Sequence, residues 1–317
     1  MERLKKIDLQ KQVPVALFLM LVIAVSLTNR NFLTAQAMYN LMLQASSVGI
    51  IALGAMLVLI SAGIDFTAGH GMALAGVAAG YFYVASGNNG IVLVVVALLA
   101  GGLLGLVNGV LIAKLKLPPF IATLAMMTVC LGLALMISEG RRVVVESPYI
   151  LAFGQGRLFG VIPPVFLAYL FLVGVMYLIL NRSKLGVYAY AMGGNEDAVK
   201  YAGINIDRYK ILIYVVAGLF YGVAAVVVGA KVTVITPSVS GTLLLDGIAS
   251  AVVGGTSITG GRGRVFGTVI GTLIILLIST LLTFLRVPSL LRDALRGAII
   301  IGILLFDSFM VRMAKKK

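Results

Sequence analysis

Side chains that carry chemistry are scarce in this sequence. Its 317 residues include one cysteine, Cys130, and one histidine, His70. A lone cysteine excludes a disulfide framework and cysteine-rich metal sites. A lone histidine excludes histidine triads and multi-histidine metal centres. Cys130 lies in an apolar stretch and reads as a small core residue, and His70 in a glycine-rich turn reads as a helix-end residue. No G-x-x-x-x-G-K-[ST] run occurs, so the chain does not hydrolyse ATP through a P-loop. Asp and Glu together number 11. An intramembrane enzyme would need a nucleophile with its base, or a metal, and this inventory supplies neither.

Charge is scarce as well. Only 11% of the residues are charged and 61% are hydrophobic, against roughly 25% and about 45–50% in soluble domains. So much apolar surface must face lipid. Backbone polar groups then have to pair within the chain, which leaves helices or a closed barrel. The apolar runs are long and do not alternate, so the fold class is all-α and polytopic. The net charge of +14 does not point to nucleic acid, because the basic residues sit in short clusters between apolar runs, as the positive-inside rule requires.

Ten runs serve as candidate spans: 13–27, 40–62, 67–86, 91–113, 119–138, 161–180, 209–231, 243–257, 264–284 and 294–310. A span needs about 20 apolar residues, so the first and the eighth are short enough to be tilted, broken or re-entrant. The first follows Arg3, Lys5, Lys6 and Lys11 like a signal peptide, but no convincing cleavage site follows, so it reads as an uncleaved span. With both termini in the cytoplasm, basic residues are distributed roughly two to one in favour of the inside. The longest loops are 181–210 inside and 139–160 outside, which leaves one membrane domain over 1–317.

The 37 glycines fall into spacings of four: Gly101, Gly105 and Gly109; Gly218 and Gly222; Gly267 and Gly271. Small residues at this spacing let helix backbones approach closely, either for tight packing alone or as surfaces that slide. An internal echo aligns Gly63-Ile-Asp-Phe-Thr-Ala-Gly-His-Gly71 with Gly255-Thr-Ser-Ile-Thr-Gly-Gly-Arg-Gly263. Transporters built from repeated halves bring such broken segments together near the substrate; Gly-rich turns also resemble one another by chance.

Two acids, Asp65 and Asp246, lie beside or within apolar runs. An acid at that depth has a partner or faces water, so each is either a helix cap or a hydrogen-bond acceptor for a polyhydroxylated solute. Asn108, Thr123, Thr256 and Ser257 are polar groups in or beside spans, each alone an ordinary helix–helix hydrogen bond. Phe120 after Pro118-Pro119 is either an interface aromatic or a ring that stacks on a sugar. In the inside loop, Asn195 is a good N-cap, Glu196 and Asp197 suit the positive helix end, and Gly203 is a stop. That predicts a helix of about two turns with Ala198, Val199 and Ala202 as its apolar surface, either solvated or docking a cytoplasmic partner.

Four stretches together resemble the permease subunits of ribose-type monosaccharide ABC importers: Ser61 to Gly69, Lys116 to Leu124, Gly193 to Arg208, and Leu245 to Gly263. They occur in the family's order along nearly the whole chain. The resemblance implies a fold like that of vitamin B12-importer permeases, with about ten helices. It implies a homo- or heterodimeric pore in the bacterial plasma (inner) membrane, with Asp65, Asn108, Phe120, Thr123, Asp246, Thr256 and Ser257 as candidates for the substrate pathway. A cytoplasmic ATPase with two fused nucleotide-binding domains would dock on the loop 190–208 through Asn195, Glu196, Asp197, Ala198, Tyr201 and Gly203. A periplasmic or lipid-anchored binding protein would deliver sugar. This chain would bind no metal or cofactor; ATP and Mg belong to the partner. His70, Phe66-Thr67-Ala68 and Pro237 to Thr242 depart from the family's usual residues, which bears on which sugar is carried. The competing reading is an ion-coupled secondary transporter. Such carriers place paired charges mid-span, and only Asp65 and Asp246 qualify.

Overall fold

The computed structural model describes residues 9–238, 241–288, 291–299 and 301–302. The basic segment 1–8 and the tail 303–317 lie outside the described residues.

Nine of the ten apolar runs each coincide with a helix. These are α1 (Leu9–Thr28), α2 (Ala35–Ile60), α3 (Thr67–Ala85), α4 (Gly90–Ala113), α5 (Pro119–Ser138), α7 (Pro164–Arg182), α10 (Ile206–Val232), α11 (Gly241–Val253) and α12 (Val265–Phe284). The tenth run is helical over 294–299 and 301–302 and otherwise lies outside the described residues. Among the described residues, six helices (α2, α4, α5, α7, α10 and α12) are long and apolar enough to cross a membrane. The first and eighth runs form shorter apolar stretches, Pro14–Thr28 and Thr242–Val253. Helix α3 is long enough at 19 residues, but its glycines and His70 dilute its hydropathy.

The loops hold more structure than apolar runs can signal. Between α5 and α7 lie strand β1 (Val143–Val144) and helix α6 (Pro148–Gln155), and between α7 and α10 lie α8 (Lys184–Gly194) and α9 (Glu196–Tyr201). Ser147 caps α6 by accepting from the Ile150 N–H at 3.3 Å, with Pro148 at the first helical position. Ser183 caps α8 through the Gly186 N–H, also at 3.3 Å. Strand β1 pairs antiparallel with β2 (Val234–Ile235). Helix α2 also starts a turn earlier than its apolar run, because Thr34 caps it and its first turns carry polar residues.

Helix α2 lies at the centre, with every residue from Ala45 to Ile60 buried. Beside it, α4 and α10 meet backbone to backbone. A Cβ added at Gly101 would stand 2.3 Å from the Gly218 carbonyl oxygen, one at Gly105 2.1 Å from that of Tyr214, and one at Gly218 2.1 Å from that of Gly101. The glycine spacings of the two helices are therefore one interface. Gly267 and Gly271 of α12 meet Gly254, just past the end of α11, and Ser250 of α11 in the same way. The outward faces of α4, α5 and α7 show Leu99, Met136 and Phe171, as a lipid-facing shell should.

Polar contacts sort the loops into two ends. At one, the segments 60–67, 114–123, 183–210 and 255–264 touch; Lys116 pairs with Asp207 at 2.5 Å and Lys210 with Glu196 at 2.7 Å. At the other, the β1–β2 ladder forms, Arg157 donates to Gln36 at 2.6 Å, and the Tyr39 hydroxyl donates to the Gln155 carbonyl at 2.8 Å.

Candidate functional site

Three chain segments cross at the first end with no side chain between them. The Gly261 N–H donates to the Ile60 carbonyl at 2.9 Å. A Cβ at Gly193 would lie 1.9 Å from that carbonyl oxygen and 2.4 Å from the Gly261 nitrogen. Gly260 and Gly261 both have positive φ, at +87° and +72°, the region glycine enters at no steric cost. The second echoed segment thus meets the end of α2, just before the first echoed segment begins, and the end of α8 is wedged between them. The Tyr190 hydroxyl of α8 donates to the Gly263 carbonyl at 2.8 Å. Burial raises the Tyr190 phenol above its ordinary pKa, against a smaller opposing pull from Arg264, so it stays a donor.

Three residues beyond Gly193, α9 begins. Asn195 accepts from the Ala198 N–H at 3.0 Å, Glu196 and Asp197 occupy the first turn and Lys200 the last. Gly203 has φ +77°. The expected capped helix is present, with one correction to its surface. Val199 is buried against the core, whereas Ala198 and Ala202 are exposed and Tyr201 is 90% exposed. A six-residue helix shows one side to its neighbours, and Val199 lies on it. Glu196 is partly taken up by Lys210.

Of the pathway candidates, four come together at the turn from α2 into α3. The Asp65 carboxylate accepts from the Thr67 N–H at 2.9 Å and from the Thr67 hydroxyl. Asn108 on α4 donates to Thr67 Oγ1 at 2.9 Å. Thr123 on α5 donates to the Pro119 carbonyl at 2.8 Å and reaches the Ile64 carbonyl at 3.1 Å. Phe120, half exposed, meets Phe66 edge to face at 5.4 Å. Two residues not anticipated, Tyr214 and Tyr221 of α10, end here with buried hydroxyls: that of Tyr221 is directed at the Asp65 carboxylate, and that of Tyr214 has no hydrogen-bond partner among the described residues. Their signal was an aromatic every seven positions on an apolar helix, two turns apart on one face.

Thr256 and Ser257 lie apart from that group, in the loop after α11. Thr256 is buried with its methyl beside Gly263, and the Ser257 hydroxyl pairs with that of Thr259 at 2.8 Å. Asp246 lies nearer the second end. Both its oxygens accept from Arg296 Nη1, at 2.9 and 3.0 Å, and both side chains are largely buried. Arg296 in turn lines a cavity of about 510 Å³ between α2, α12 and the segment 291–299. The cavity's polar wall on α2 (Gln36, Asn40, Gln44) straddles the start of an apolar run, so the run itself does not reveal it. Its signal was polar residues at every fourth position.

Over residues 37–304 the chain matches the family described as branched-chain amino acid transport system / permease component. It is 35% identical to the ribose import permease protein RbsC of Escherichia coli (strain K12), over 95% of this chain and 94% of that protein. It is 36% identical to RbsC of Bacillus subtilis (strain 168), over 94% and 93%. To the L-arabinose ABC transporter permease protein AraH of Azospirillum brasilense it is 34% identical, over 93% and 86%. No solved structure matches it.

Proposed function

The chain belongs to the permease components of the branched-chain amino acid transport system family, and from that premise we propose that it is the membrane-spanning permease subunit of an ATP-driven monosaccharide importer. Permeases of this family are not catalysts, and ATP hydrolysis belongs to a separate subunit. In this reading two such chains, identical or closely related, form the pore in a bacterial plasma membrane. A cytoplasmic ATPase docks on the segment 190–208, and an external binding protein delivers the sugar. The end with the glycine crossing faces the cytoplasm and the end with the β1–β2 ladder faces out. That assignment gives ten crossings with both termini inside, and it agrees with the basic-residue bias. Asp65, Asn108, Thr123 and Phe120, with Thr256 and Ser257, would line the inner half of the path.

The observation that carries the reading is the placement of α9. It is exposed, capped and three residues from Gly193, at the crossing that joins α2, α8 and the α11–α12 loop. A partner that pushes on α9 therefore pushes on three elements at once.

The test is to purify the tagged chain gently from its native membrane, with variants of the exposed side of α9. Tyr201→Ala and Ala198→Arg leave the Glu196–Lys210 pair intact, whereas Glu196→Arg also breaks it. The expected result is an ATPase with two fused nucleotide-binding domains that co-purifies with the wild type and is depleted at least several-fold by Ala198→Arg. No ATPase with the wild type under any mild condition would defeat the importer reading. Equal recovery with all three variants would defeat the docking assignment alone.

A further inference from the structure

We propose that the cavity between α2, α12 and the segment 291–299 is an outward-facing binding site for a neutral polyhydroxylated solute, the first station of the sugar within the permease. The inference rests on the importer reading for its direction.

Gln36, Asn40 and Gln44 recur every fourth residue, so they share one face of α2, and all three are exposed. Gln44 stands four residues into the apolar run that begins at position 40, about 6 Å along the helix axis. With a hydrocarbon layer roughly 30 Å thick, that is inside its outer edge. Uncompensated amides do not face lipid at this depth. This face of α2 therefore borders water, and the cavity that these residues line supplies it. Gln36 is engaged by Arg157 and by Asn40, whereas the Gln44 amide has no hydrogen bond among the described residues.

The opposite wall is chemically similar. Thr280 of α12 donates to its own helix at 2.8 Å, which leaves its lone pairs free to accept. Arg292 and Arg296 complete the wall. Arg296 is not a free charge, since the buried Asp246 holds its Nη1, and its Nε is buried without a partner among the described residues. The site thus offers amides, hydroxyls, a carboxylate-neutralised guanidinium and one cationic side chain, Arg292, whose Nε donates to the Val287 carbonyl: many donors and acceptors around a single uncompensated charge. Sugars and other polyols satisfy that array, while an anion would find one of the two arginines already paired. A volume of about 510 Å³ falls within the roughly 300–1,000 Å³ of small-molecule sites. Asp246 acts here as a positioning residue, holding Arg296 in the wall from behind.

Two measurements on the whole importer in its native membrane test this. In the first, Gln44→Cys and Thr280→Cys are placed in a Cys130→Ala background and exposed from outside to a membrane-impermeant thiol reagent. Both should react, and a transported sugar should slow the reaction at least threefold; no labelling, or labelling that sugar leaves unchanged, overturns the site. In the second, uptake of labelled D-ribose, L-arabinose and D-allose is compared between wild type and Asn40→Leu/Gln44→Leu. The expected result is at least a tenfold rise in KM with the ATPase still bound. Wild-type kinetics in that variant overturn the site while leaving the importer reading intact. A wild type that carries none of the panel and retains no ATPase overturns both. Protection by an acidic peptide or an anionic lipid but by no sugar overturns the neutral-solute assignment.

Discussion

At the scale of single residues, Asp246 and Arg296 test how a buried charge is held. Their side chains are 11% and 19% exposed. Removing one member of a buried pair strands the other, which typically costs about 3–5 kcal/mol. Asp246→Asn should therefore lower the yield of folded protein or its melting temperature in detergent. Adding Arg296→Gln should restore much of the loss. A double variant no better than the sum of the two singles would show that the pair is not coupled. Sequence alone marked Asp246 as an acid needing a partner, but the partner lies 50 residues away on another helix, and local chemistry carries no record of it. The same holds for Asp65, Asn108 and Thr123, each suspicious alone and joined only once three helices are packed. Asn195 and Gly203 were fully legible because a helix cap is written within four residues.

Among the elements, the α4–α10 interface depends on the absence of side chains. Gly105→Ala would place a methyl group 2.1 Å from the Tyr214 carbonyl oxygen, so the helices must part. Overpacking of this kind typically costs about 1–3 kcal/mol or more. Gly132 of α5, whose Cβ would meet nothing within 4 Å, supplies the control: Gly132→Ala should be neutral or mildly favourable, since alanine suits a helix better. Thermal melting of the purified variants decides it, and equal melting of the two would refute the close approach. The spacing of four was visible in the sequence; which helix answered which was not. Helices α6 and α8 were not legible, because short helices are marginal without tertiary support and neither forms a long apolar run.

For the whole molecule, the crossing of Ile60, Gly193 and Gly261 predicts how the chain transmits force. In the proposed importer, Gly193→Ala should keep the ATPase bound yet separate its hydrolysis from uptake. The added Cβ would sit 1.9 Å from the Ile60 oxygen, so α8 and α2 can no longer seat together. ATPase activity and uptake measured in one vesicle preparation check this, and a variant in which both stay at wild-type levels would show that the crossing transmits nothing. Orientation has its own test. A cysteine at Asn88 should react with an impermeant reagent from outside, and one at Ala202 only after the membrane is opened. The all-helical membrane class was readable because lipid leaves few options for an apolar backbone. The arrangement of the ends was not, since it depends on contacts between segments far apart in the chain.

The central place of α2 also has a consequence for how the protein is made. The neighbours that bury it include α10, α11 and α12, the first of which begins 146 residues after α2 ends. At about 5–20 residues per second, α2 waits on the order of ten to forty seconds after synthesis before α12 exists to cover it. During that interval the faces of α2 that α10, α11 and α12 will cover have only lipid, or an insertion factor, as company. Newborn chains stalled before α10 should accordingly be the species that membrane quality control removes first.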